Sequence, residues 1–198
     1  MATFRTALNA VRRVYRRLAN RTADARSREI VDTLQQVAAF TICSKGTLYE
    51  VAESMHRRTY SRGEHLYYQG DPGLGLFIVE QGKIQLTAEG GQGATYDLRQ
   101  LGPYEVCGTL SILGDFPRLE TARATTEAQV LGFFRPDLNN LTKRNPSAGT
   151  EIITILARHV AAQHVQMVRL MEECVGVSTA LNTYARASEA VIQEQSPR

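Results

Sequence analysis

Between His56 and Phe134 the apolar residues come in short alternating runs, and Gly, Pro, Asp and Asn interrupt them every few positions, as in TYSRGEHLYYQGDPGLGLFIVEQGKIQLTAEGG. Alternation with a period of two suits a strand with one covered face, and the interrupting residues are those that turns require. Tyr60, Leu66, Tyr68, Phe77, Val79, Ile84 and Leu86 supply strand residues. Gly70-Asp71-Pro72-Gly73 and Gln81-Gly82 supply turns, and Glu89 to Ala94 a hairpin tip. Tyr96 to Gln100 and Ala122 to Phe134 hold further strands. Strands this short, at this spacing, predict a sandwich or jelly roll.

The flanks have a different period. Phe4, Leu8, Val11, Tyr15 and Leu18 recur at four and three, predicting an amphipathic helix over Thr3 to Asn20. Ile30, Leu34, Val37 and Phe40 form a second stripe, and Ser44 reads as the N-cap of a short helix that buries Leu48, Val51, Ala52 and Met55. Arg135-Pro136-Asp137 starts a short helix. From Glu151 onward, Leu156, Val160, Gln163, Met167, Leu170, Cys174, Val177, Leu181 and Tyr184 keep a mean period of 3.5, which is the seam of a coiled coil. A continuous helix over 150–190 would be roughly 60 Å long, more stripe than one domain covers. Its weak place is Val175-Gly176-Val177-Ser178-Thr179, where glycine and β-branched residues favour a break and a separate helix from Thr179 to Ile192. The expected organisation is a basic N-terminal helix over 1–30, a jelly roll over 31–146, and a long C-terminal helix with tail over 147–198.

Charge separates the same regions. The net charge is +3, yet residues 1–30 hold eight arginines against Asp24 and Glu29. The first thirty residues therefore carry +6 and the rest −3. That segment either docks on its own domain or a second subunit, or lies on an anionic membrane surface or an acidic partner. Cys43, Cys107 and Cys174 are far apart and form no metal-ligand spacing, so they read as reduced thiols of a cytoplasmic protein with no metal. No G-x-S-x-G, H-E-x-x-H or Walker loop occurs, and the chain reads as non-catalytic.

Chemistry concentrates in LGPYEVCGTLSILGDFPRLETARA, from Leu101 to Ala124. Gly108 lets the backbone approach a ligand, the amides of Thr109-Leu110-Ser111 can face an anion, and Arg118 can pair with a phosphate. No acid adjoins Gly108 to accept hydrogen bonds from a sugar. The plain alternative for Arg118 is a salt bridge with Glu120 or Asp115.

These segments together resemble the cyclic nucleotide-binding domain family, as in catabolite-activator-type regulators and protein kinase A regulatory subunits. The resemblance covers roughly Leu34 to Glu173. It is carried by Arg62-Gly63, Gln69-Gly70-Asp71-Pro72, the hairpin Leu76 to Leu86, Leu101-Gly102-Pro103, Gly108, Leu110 to Leu113, Pro117-Arg118, Thr121 and Asn145-Pro146. It implies a mainly β jelly roll with flanking helices (α+β) and a C-terminal dimerisation helix. The family cassette reads F-G-E-x-x-L followed by P-R-x-A-T. Here Cys107 replaces the phenylalanine, Thr109 the glutamate that accepts from the ribose, and Leu119 and Glu120 stand after the arginine.

The resemblance implies a pocket of Gly108, Thr109, Leu110, Ser111, Arg118, Leu119 and Thr121, with Gln163 or Gln166 able to cap a ligand. The seam Leu156, Val160, Gln163, Met167, Leu170 and Cys174 would make a homodimer. The altered cassette favours a regulatory or scaffolding module that acts through a protein partner and needs no cofactor. The alternative is a sensor of a cyclic nucleotide or another small anion. A DNA-binding regulator is disfavoured, since CVGVSTALNTYARASEAVIQEQSPR after Glu173 carries only Arg186 and Arg198 as basic side chains.

Overall fold

The computed structural model describes residues 25–195; the helix expected over Thr3 to Asn20 lies outside them. The chain divides into two compact units, Met1–Ile155 and Leu156–Arg198.

In the first unit, helix α1 (25–36) buries Ile30, Val31 and Leu34 and ends in a 3-10 turn, Ala38–Phe40. Helix α2 (Lys45–Glu53) begins where the sequence places it. Ser44 is extended and its side chain accepts a hydrogen bond from the Thr47 amide at 3.3 Å. The Glu151 carboxylate reinforces this cap. It accepts from the Ser44 amide at 2.6 Å, the Ser44 hydroxyl at 2.8 Å and the Thr47 hydroxyl at 2.5 Å.

Eight strands follow: β1 (His56–Tyr60), β2 (His65–Tyr67), β3 (Gly75–Gln81), β4 (Ile84–Glu89), β5 (Thr95–Leu101), β6 (Val106–Cys107), β7 (Thr121–Ala124) and β8 (Ala128–Phe134). They form two antiparallel sheets of four, ordered β1-β8-β3-β6 and β2-β7-β4-β5. This is the expected jelly roll with flanking helices. Tyr60, Tyr67, Phe77, Val79, Ile84, Leu101, Cys107, Ala122 and Val130 form its core. β3 is buried along Gly75 to Val79, so both its faces are covered, and the short helix α3 (Leu110–Leu113) packs on it. Helix α4 (Arg135–Arg144) is the short helix expected to start at Arg135-Pro136-Asp137, and helix α5 begins at Pro146.

α5 ends at Val175, Gly176 adopts φ +83°, and α6 runs over Val177–Gln195. The continuous helix over 150–190 is therefore broken at the glycine, where a side chain would be strained. The second helix starts two residues before Thr179. In the second unit the His164 and Tyr184 rings lie 5.5 Å apart. Residues twenty apart in one straight helix would be separated by about 30 Å, so α6 folds back along α5.

Candidate functional site

Arg118 is held from both sides of its backbone. Its amide donates to the Asp71 carbonyl at 2.9 Å, and its carbonyl accepts from the Gly70 amide at 2.9 Å. Pro72 and Pro117 form an isolated bridge beside them. The turn after β2 thus sets the entry to β7. Gln69 adds a bond from its amide to the Thr121 hydroxyl at 2.9 Å. Asp71 tightens the turn by accepting from the Tyr68 amide at 2.9 Å.

The Arg118 side chain enters the barrel and is 5% exposed. Its Cζ stands 4.0 Å over the centroid of the Tyr67 ring and 5.6 Å from that of Phe77. Gly108, at φ +74°, makes room for it, because a Cβ there would collide with Arg118 Nη1. Nε and Nη1 are buried without a hydrogen-bond partner. Such unpaired donors are costly and unusual.

The salt-bridge alternative is overturned. Asp115 pairs with Arg135 at 3.3 Å, and Glu120 accepts from the Tyr67 hydroxyl at 2.8 Å. Arg135 also donates to the carbonyls of Gly73 and Ser111, tying the cassette to the start of β3.

The other expected pocket residues divide. Thr109 is 8% exposed and makes no cap bond with its hydroxyl. Ser111 is buried, its amide donates to the Gly108 carbonyl at 3.1 Å and its hydroxyl faces the Phe116 carbonyl at 3.5 Å, so one expected anion-facing amide is already engaged. Thr121 is committed to Gln69. Leu110 and Leu119 are exposed. Of the expected residues, Gly108 lies directly against Arg118, whose Nε and Nη1 are unpartnered. Of the seam residues, Leu156 is buried within the chain, whereas Met167, Leu170 and Cys174 are exposed.

Tyr67 is the site residue that sequence reasoning passed over. Leu66 and Tyr68 were the strand residues named, yet Tyr67 is buried and Tyr68 exposed. The ladder with β7 shifts register between His65 and Tyr67, and such an irregularity re-aims a side chain. Its hydroxyl also meets the Cys107 thiol. Burial, the largest cause, and the Glu120 charge raise the phenol well above its ordinary range, so it remains a donor. Burial likewise pushes the Cys107 thiol up to about 11.

A phosphate suits these residues: two buried guanidinium donors lack an acceptor, and a glycine clears the space around them. A ribose has less to hold it, since Thr109 offers no carboxylate. Among the described residues no group of three or more His, Cys, Asp or Glu is placed to hold a metal, and no helix is long and apolar enough to cross a membrane.

The family model described as cyclic nucleotide-binding domain matches residues 57–145. The cyclic AMP receptor protein of Thermus thermophilus is 35% identical over 113 residues, 56% of this chain and 51% of that protein. The chain spans about half the length of the first curated relatives it matches. The solved N-terminal domain of a transcriptional regulator from Streptomyces coelicolor is 30% identical with a TM-score of 0.61, and the match covers 66% of this chain and 94% of that one. A cyclic nucleotide-binding domain from Methylobacillus flagellatus, 19% identical, shares the fold at a TM-score of 0.63 over 77% of this chain and 84% of its own. The barrel, its cassette and these relatives agree, and the chain belongs to the cyclic nucleotide-binding domain family.

Proposed function

We propose that this chain is a non-catalytic regulatory module whose barrel binds a small phosphate-bearing ligand through Arg118, a cyclic mononucleotide being the first candidate. One observation carries the reading: Arg118 is buried, yet Nε and Nη1 have no acceptor within the protein. A buried guanidinium is tolerated when an anion completes it. The name of the Thermus relative, a cyclic AMP receptor protein, supports the choice of ligand. Thr109 tempers the affinity. A carboxylate-to-hydroxyl hydrogen bond contributes about 1.5–3 kcal/mol, so its loss weakens sugar recognition on the order of ten- to a hundredfold. The module works in the cytoplasm. It pairs as a homodimer through the stripe Leu156, Val160, Gln163, Met167, Leu170 and Cys174, of which Met167 and Leu170 are half exposed.

A second reading has its own support. The guanidinium rests against the Tyr67 and Phe77 rings, and cation–π contact compensates part of its desolvation. A scaffold that binds no nucleotide and acts on a protein partner would use Arg118 in this way.

Titration calorimetry with cyclic AMP, cyclic GMP, cyclic di-GMP and inorganic phosphate separates the two. Binding lost in Arg118→Ala is the expected result. No heat with any of the four at millimolar concentration favours the scaffold reading, and binding unchanged by the substitution overturns the role given to Arg118. Sedimentation of the full chain against Met167→Glu/Leu170→Glu tests the dimer, which the pair of charges should dissociate.

A further inference from the structure

We propose that Tyr67 is a positioning residue for the anion site, carrying the Arg118 guanidinium on its ring and holding the Glu120 carboxylate away from it with its hydroxyl. The proposal rests on the reading of Arg118 as the anion-binding group. Its own basis is the geometry around one ring. Arg118 lies over the face of Tyr67 at 4.0 Å, and Glu120 Oε1 accepts from its hydroxyl at 2.8 Å. Arg118 and Glu120 are two apart at the bend that leads into β7, while Leu119 between them is 63% exposed. Both opposite charges nevertheless reach the same ring, one its face and the other its hydroxyl.

Unpaired, they would attract each other strongly in a barrel that excludes water. They do not pair: Glu120 is engaged by Tyr67, and Arg118 Nε and Nη1 stay unpartnered. The ring is itself fixed, stacked on Phe77 at 5.9 Å between centroids. The Tyr67 hydroxyl thereby answers the difficulty that Glu120 raises in the cassette, where a carboxylate next to the arginine would compete with an incoming anion.

Tyr67→Phe keeps the ring and removes the hydroxyl, so Glu120 is released toward Arg118. Tyr67→Phe/Glu120→Gln removes the competitor as well. The probes are cyclic AMP titration and the 15N resonance of the Arg118 Nε–Hε group in the unliganded protein. Tyr67→Phe should weaken binding at least about tenfold and shift the Arg118 resonance. The double variant should return both toward wild type, a rescue that a merely structural tyrosine would not give. Wild-type affinity and an unmoved resonance in Tyr67→Phe overturn the proposal, as does failure of Glu120→Gln to rescue. If the wild-type protein binds none of the four ligands named above, the ligand reading fails at that point, and the resonance in the two variants alone decides the role of Tyr67.

Discussion

Arg57 lies on β1 of one sheet and Arg118 just before β7 of the other, and the protein treats them in opposite ways. Arg57, on β1, reaches Glu80 with a two-pronged pair, Nε to Oε2 at 2.6 Å and Nη2 to Oε1 at 2.8 Å, and adds Glu29 at 3.4 Å. The hydrogen bond to Glu80 is the largest cause that raises its guanidinium above the ordinary range. Arg118, before β7, is more deeply buried and has partners for neither Nε nor Nη1. The first is spent within the fold. The second is withheld from every carboxylate nearby, because Asp115 is taken by Arg135 and Glu120 by Tyr67. An arginine left unpaired at such cost is what the proposed anion site requires.

Stability measurements can break this comparison most directly. Arg57→Ala leaves Glu80, whose side chain is 6% exposed, without its partner, and should cost about 2–3 kcal/mol in urea unfolding. Arg118→Met removes an unpaired buried charge while keeping apolar contact with Tyr67 and Phe77. It should leave stability unchanged or raise it by about 1 kcal/mol, while abolishing ligand binding. Equal destabilisation by the two substitutions would remove the distinction.

Gly108→Ala sharpens the same point at the second site. The new Cβ would meet Arg118 Nη1, and φ +74° strains any L side chain. The expected loss is about 1–2 kcal/mol, accompanied by loss of ligand binding as Arg118 is displaced. Full binding in this variant would show that the guanidinium does not need its present place.

The contrast between the two arginines lay only partly within reach of the sequence. The strands and turns were legible because period-two alternation and turn glycines are local signals, and the Ser44 cap because capping is local too. Gly108 and Arg118 were legible through the spacing of the cassette. The pairing of Arg118 was not, since Asp115 and Glu120 are both near in sequence and their choice is made by Arg135 and Tyr67, residues brought in from β8's end and β2. Tyr67 itself was hidden by a register shift that alternation cannot show. Gly176 was visible as a weakness, and its positive φ makes it a break.

Glu151 tests the paired side of the comparison at smaller scale. Hydrogen bonds from Thr47, and then from the Ser44 amide, lower its carboxyl below the ordinary value. A lowered folded pKa adds stability that is present above the unfolded value, about 4.3, and is lost as pH falls through the lowered one. Glu151→Gln should cost about 0.5–1 kcal/mol at pH 7 after allowance for exposure. The difference from wild type should close as the pH falls through and below the lowered carboxyl value. A pH-independent difference would mean that shape, and not charge, holds this cap.

The cysteines extend the comparison without altering stability, since one lies beside each kind of region. Cys43 is partly exposed next to Glu151, and its thiol is pushed up to about 12 by burial, with the Glu151 charge and hydrogen bond adding to it. Cys107 lies within the barrel against Tyr67 and is 4% exposed. Cys174 is exposed on α5. The thiolate is the reacting form, so an aromatic disulfide reagent at pH 8 should label Cys174 alone in the fast phase. The two slow thiols should then differ in what releases them. Cys43 is limited by protonation, so its rate should climb with pH and should rise in Glu151→Gln. Cys107 is limited by access, so its rate should follow urea well below the unfolding midpoint and fall when a ligand fills the site above it. Labelling of Cys107 that ignores cyclic AMP bound at saturation would separate the ligand from the barrel interior, and with it from Arg118.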